Sequence, residues 1–190
     1  MKRLLFIAII LAMGALKYVK AQDLYSEGQL LQCQGRTLII SKVLSGRFTY
    51  VDANNPYDLH EPATSSNPEF VHEKNYGWQK VDNSRFVKPS RESVIVALRE
   101  VLGNYYNYMP ADPHRSRNQS IGIRIHTDND GDFVNAWIKI SGTEETLRSI
   151  SANQLNQIYN IAAGMRLGVP AEYQAISDHY FGYCVLFQEL

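Results

Sequence analysis

Two runs of strict alternation stand in the second half of the chain. Ile121, Ile123 and Ile125 alternate with Gly122, Arg124 and His126, and Val134, Ala136, Ile138 and Ile140 alternate with Phe133, Asn135, Trp137 and Lys139. A period of two puts successive side chains on opposite faces of a strand. Between the runs, Asp128-Asn129-Asp130-Gly131 supplies the residues a tight turn needs, so the pattern predicts a β-hairpin. Helical spacing flanks it. Val94, Ile95, Ala97, Leu98, Val101 and Leu102 recur between a candidate N-cap, Ser90, and Gly103. Leu147, Ile150, Leu155, Ile158, Ile161, Ala162 and Met165 predict a second helix ending near Gly164, with Pro170 beyond it. Residues 180–187 are apolar and aromatic and predict a closing strand. The fold class is therefore α+β: helix, strand, strand, helix, strand, with an antiparallel three-stranded sheet and both helices on one face. The opposite face would be open and carry Arg124, His126, Asn135, Trp137 and Lys139.

Before this unit the pattern is less regular. Residues 22–87 are rich in aromatics, Asn, Pro and Ser, with strand-like pieces at 36–43, 47–51 and 76–81 and a loop composition at 52–68. The expected organisation is a signal peptide at 1–21, an irregular β-rich and aromatic-rich extension at 22–87, and an α+β domain at 88–190. The first segment earns its label by its order: Met1-Lys2-Arg3, then an apolar run at 4–16, then Val19-Lys20-Ala21 with small residues at the cleavage spacing. An apolar run of that length is short of the roughly 20 residues a membrane helix needs. The expectation is a periplasmic or secreted protein with no stable membrane span once the signal is cleaved; retention of the segment as an anchor is the alternative.

Charge narrows the partners. The chain has 19 basic and 19 acidic residues. Removing Lys2, Arg3, Lys17 and Lys20 with the signal segment leaves fifteen against nineteen, a formal charge of minus four. Nucleic acid is excluded as a partner on that balance, because phosphate binding needs a basic surface. Only Cys33 and Cys184 carry thiols. In an oxidising compartment two cysteines are expected to pair, here joining the first strand-like segment to the last; the alternative is two free cysteines acting as small hydrophobes.

Ile121-Gly-Ile-Arg-Ile-His-Thr-Asp, the Asn-Asp-Gly-Asp turn, Phe133-Val-Asn-Ala-Trp-Ile-Lys-Ile, and the helix and strand that follow resemble the C-terminal domain of the TonB energy transducer, over about residues 88–189. The resemblance implies a binding role in which a sheet edge recruits an extended peptide from an envelope partner by β-augmentation. The chain departs from that family in having a cleavable-looking N-terminal segment, no Pro-rich spacer, and the aromatic-rich extension instead. A secreted bacterial envelope protein with a reused scaffold fits better than an energy transducer.

Candidate chemistry is sparse. Asp128, Asp130 and Asp132 suggest calcium, but counting from Asp128 the sixth and twelfth positions of an EF-hand loop hold Phe133 and Lys139, so a turn is the better reading. His60-Glu61 and His72-Glu73 lie in loop composition and lack the short spacings of zinc sites. No Gly-x-Ser-x-Gly, Ser-x-x-Lys or Gly-rich phosphate loop occurs. The sequence thus predicts no catalytic residue, no metal and no cofactor. The function expected is an exported, non-enzymatic binding domain taking an envelope protein or glycan, with Trp137 and Arg124 on the open sheet face and Trp78 in the extension as binding residues. Two alternatives stand beside it: a small periplasmic hydrolase of peptides or glycans using His126, Asp128 and Asp130, and a structural subunit of an envelope assembly.

Overall fold

A computed structural model describes residues 27–44, 47–54, 72–73, 83–103, 119–175 and 178–190. Residues 1–21, expected to be a signal peptide, residues 76–81 with Trp78, and His60 lie outside them. Among the described residues the strands are β1 (Leu30–Cys33), β2 (Arg36–Leu44), β3 (Arg47–Asp52), β4 (His72–Glu73), β5 (Ser120–Asp128), β6 (Phe133–Ser141) and β7 (Asp178–Leu186). The helices are α1 (Arg91–Leu102), α2 (Glu144–Ser149) and α3 (Ala152–Ala163).

All the strands form one antiparallel sheet in the order β1-β2-β3-β6-β5-β7-β4. The class is mixed α+β, but the sheet has six strands of four residues or more plus the two-residue β4, where three were expected. The difference arises at one joint. β3 pairs with β6, from Arg47 opposite Ser141 to Tyr50 opposite Ile138, and so adds β1, β2 and β3 to the hairpin sheet. The pieces read as an irregular extension share the core of the C-terminal unit.

The hairpin forms where the alternation placed it, with Ile123 opposite Ile138 and Ile125 opposite Ala136. Its turn is fixed by Asp128, whose Oδ1 accepts the backbone N–H of Asp130 (3.0 Å) and of Asp132 (2.9 Å). That is the turn chemistry expected of a short acidic side chain. Gly131 takes φ 82°, and a Cβ there would lie 1.8 Å from the Leu167 carbonyl oxygen.

Ser90 caps α1 through Oγ, which accepts from Ser93 N, and Gly103 closes it at φ 74°. The second predicted helix is broken in two. Ile150 leaves helical geometry at φ −90°, ψ 113°, and Ser151 restarts the chain as the N-cap of α3 in a capping box with Gln154. Both long helices cover one face. Val94, Leu98, Leu155 and Ile158 pack with Leu38, Ile40, Ile121, Ile123, Ile138, Phe181 and Val185 in one buried cluster.

The structure does not form the expected disulfide: Cys33 and Cys184 are both free. β1 and β7 are five strand spacings apart, roughly 24 Å, and a disulfide needs Cα atoms within about 7 Å. Cys33 instead donates through Sγ to the carbonyl of Ala152 at the start of α3 (3.3 Å), and burial pushes its thiol pKa up. Cys184 is exposed.

Candidate functional site

The sheet face away from the helices carries the residues expected to bind. In register across it, Arg124 stands between Trp137 on β6 and Gly182 on β7. One pair along, His126 stands opposite Tyr180. The face is not open at this end. Trp137 is 2% exposed and Arg124 7%. Trp137, Val51 and Tyr180 form a second buried cluster, with Ile39 against it. The alternation correctly assigned these side chains to the face without helices, but that face is not open to solvent here. An isolated three-stranded sheet would leave this face bare; the wider sheet brings Val51 and Ile39 onto it.

At the rim of this cluster β5 and β7 place titratable groups together. His126 Nε2 donates to Asp178 Oδ1 at 2.6 Å, and its ring stacks on Tyr180 with centroids 4.7 Å apart and an interplanar angle of 16°. Asp128 stands opposite Asp178 and Thr127 opposite His179. His179, one residue from Tyr180 and so on the helix-side face of β7, is 1% exposed, and its Nε2 has no hydrogen-bond partner among the described residues. Its ring meets Phe86 edge-on at 5.6 Å, and Phe86 stacks on Tyr173. Burial holds the His179 imidazole below its ordinary pKa; the carboxylates of Asp178 and Asp128 and the Tyr173 backbone pull the other way, and His126 adds to the lowering. None of this was visible in the sequence, where His179 and Asp178 were isolated polar residues ahead of an apolar strand.

Among the described residues no three His, Cys, Asp or Glu side chains are grouped to hold a metal. Asp128, the first of the candidate calcium ligands, spends one carboxylate oxygen on the turn, and Asp132 pairs with Arg166 at 3.0 Å.

The sheet edges are the other place where the backbone itself is available. β1 ends the sheet, pairing with β2 alone among the described strands. Its hairpin closes on Cys33 opposite Arg36 through Gln34-Gly35, with Gly35 at φ 79°. A two-residue loop is closed by a hydrogen-bonded pair, and such pairs alternate along an antiparallel ladder. Leu31 and Cys33 therefore turn their backbone groups to β2, and Leu30 and Gln32 turn theirs outward. Leu30 is 54% exposed, one of three large apolar side chains in that state among the described residues.

No family model and no curated protein matches the chain by sequence. Among solved structures it is similar to the crystal structure of a DUF5043 family protein from Bacteroides uniformis, with a TM-score of 0.57 and 11% identity over 84% of this chain and 85% of that chain. That likeness is one of fold. Its coverage is more than residues 88–190 alone would give.

Proposed function

We propose that the protein is an exported, non-enzymatic binding domain of the bacterial envelope that takes an extended segment of a partner protein onto β1. The observation that carries this reading is the outer edge of β1, where Leu30 and Gln32 direct backbone donors and acceptors away from the sheet beside an exposed leucine. Edge strands with those features pair with other chains, and main-chain hydrogen bonds then supply affinity while alternate side chains supply selectivity. Export rests on the basic, apolar and small-residue order of residues 1–21. The resemblance of residues 88–189 to a domain that recruits peptides at a sheet edge supports the same mode. Trp137 and Arg124 act here as the packed support of the sheet rather than as contact residues.

The hydrolase reading has one observation in its favour, the His126–Asp178 pair. A general base must reach the proton it abstracts. His126 is 1% exposed, gives Nε2 to Asp178 and has one ring face against Tyr180. That arrangement suits a structural hydrogen-bonded pair.

Gln32→Pro tests the proposal. Proline is tolerated on an edge strand where its missing N–H faces outward, so the fold survives while one ladder hydrogen bond and close approach are lost. Residues 22–190 are used as bait in native envelope extract, with partners read by mass spectrometry. The expected result is a defined partner retained by wild type and lost by Gln32→Pro. A partner retained equally by both removes the β1 edge from the account, and no partner with either removes the protein-binding reading.

A further inference from the structure

The two edges of the sheet are finished differently. On β7, β4 occupies the end of the outer edge, with His72 opposite Tyr180 and Glu73 opposite His179. Further along, two side chains take the place of a strand. Arg91 Nη2 donates to the Cys184 carbonyl (3.1 Å), and Glu189 Oε2 accepts from the Leu186 N–H (2.7 Å). The two are joined by an ion pair of 2.6 Å. A neighbouring strand would present an N–H to the first backbone group and a C=O to the second. The guanidinium and the carboxylate supply that donor and that acceptor. Both are held in place: Arg91 is in the first turn of α1, Glu189 is in the short 3-10 turn Phe187–Glu189, and Arg99 donates to the carbonyls of Glu189 and Leu190 at 2.8 Å each.

We infer that the Arg91–Glu189 pair is an edge latch, standing in for a neighbouring strand and withholding β7 from antiparallel pairing with β7 of a second copy of the chain. The occupant follows from symmetry. An antiparallel pairing about one residue of an edge strand is its own complement, as two-fold interfaces are, and it needs no other sequence. Cys184 lies at the latch with its carbonyl on the outer edge and its side chain exposed. Pairing centred there would bring the two Cys184 side chains face to face, with Cβ atoms about 4.5–5.5 Å apart, close to the range a disulfide spans. The inference does not depend on what β1 binds.

The experiment uses residues 22–190 as wild type, Arg91→Ala and Glu189→Gln, each exposed to copper phenanthroline. This oxidant accepts the two electrons lost when two Cys184 thiols release their protons and form one S–S bond. Products are read on a non-reducing gel, with sedimentation velocity on unoxidised samples. The expected result is a wild type that sediments as a monomer and crosslinks slowly, and latch variants that dimerise with rising concentration and crosslink several-fold faster. Adding Cys184→Ser must abolish the crosslink. Latch variants with wild-type circular dichroism and no crosslinking above wild type overturn the inference, as does a wild type that crosslinks through Cys184 as fast as they do. If Arg91→Ala fails to fold, Glu189→Gln decides, because it removes the ion pair that holds Arg91 at the Cys184 carbonyl.

Discussion

Replacing Trp137 with alanine separates a packed sheet face from an open one. Trp137 is 2% exposed and packs with Val51, Tyr180 and Ile39. Its ring centroid lies 6.3 Å from that of Tyr180. Removing a buried tryptophan forfeits its transfer free energy and leaves a cavity, together about 3–5 kcal/mol. For a domain of this size each kcal/mol moves the thermal midpoint by roughly 2–4 °C, so Trp137→Ala should lower Tm by roughly 6–20 °C. The assay is urea and thermal unfolding followed by far-UV circular dichroism, with Trp137→Phe as a milder control that refills most of the space. A solvent-exposed aromatic changed to alanine would cost under about 0.5 kcal/mol. A Trp137→Ala protein that unfolds with the wild-type midpoint refutes the packing argument and returns Trp137 to the list of contact residues.

Two further outcomes follow from buried groups. The folded state holds His179 below its ordinary pKa, so the unfolded chain binds more protons; the stability carried by neutral His179 is present above the ordinary value of 6.5 and is lost as pH falls from there toward the lowered one. His179→Phe should therefore flatten the decline in urea midpoint between about pH 7.5 and pH 5.5, and an unchanged slope would show that His179 does not carry it. With Cys33 and Cys184 on strands five spacings apart, reductant should leave Tm unchanged and both thiols should titrate after unfolding without reductant; a reductant-sensitive midpoint, which a bridge worth about 2–5 kcal/mol would give, would contradict the strand order.

What the sequence disclosed is what short-range physics decides. Alternation and an Asp-Gly turn define the hairpin without reference to anything else, and Ser90 and Gly103 mark the ends of α1 by local capping. The break in the second helix was also written locally, as Ser151 and Gln154 at capping-box spacing, but an apolar periodicity that runs through Ile150 conceals it. Strands β2 and β3 were legible as pieces, whereas their placement beside β6 was not. Pairing of Thr49 with Lys139 depends on a choice of neighbour made across many residues, and neither strand advertises it. The candidate site suffered the same limit. Trp137 and Arg124 were placed on the right face, but the face stands covered, and Val51 and Ile39, which pack into its cluster, come from strands that the three-stranded expectation left out. The Arg91–Glu189 pair joins residues 98 apart in sequence, so no motif could announce it.

The account turns on β1 being an available edge, and amide hydrogen exchange on the free protein tests that without knowing the partner. Leu31 and Cys33, whose N–H groups face β2, should exchange slowly, while Leu30 and Gln32 exchange at close to the rates of an unprotected strand edge. Protection of Leu30 and Gln32 equal to that of Leu31 and Cys33 would show the edge already covered and would contradict recruitment there.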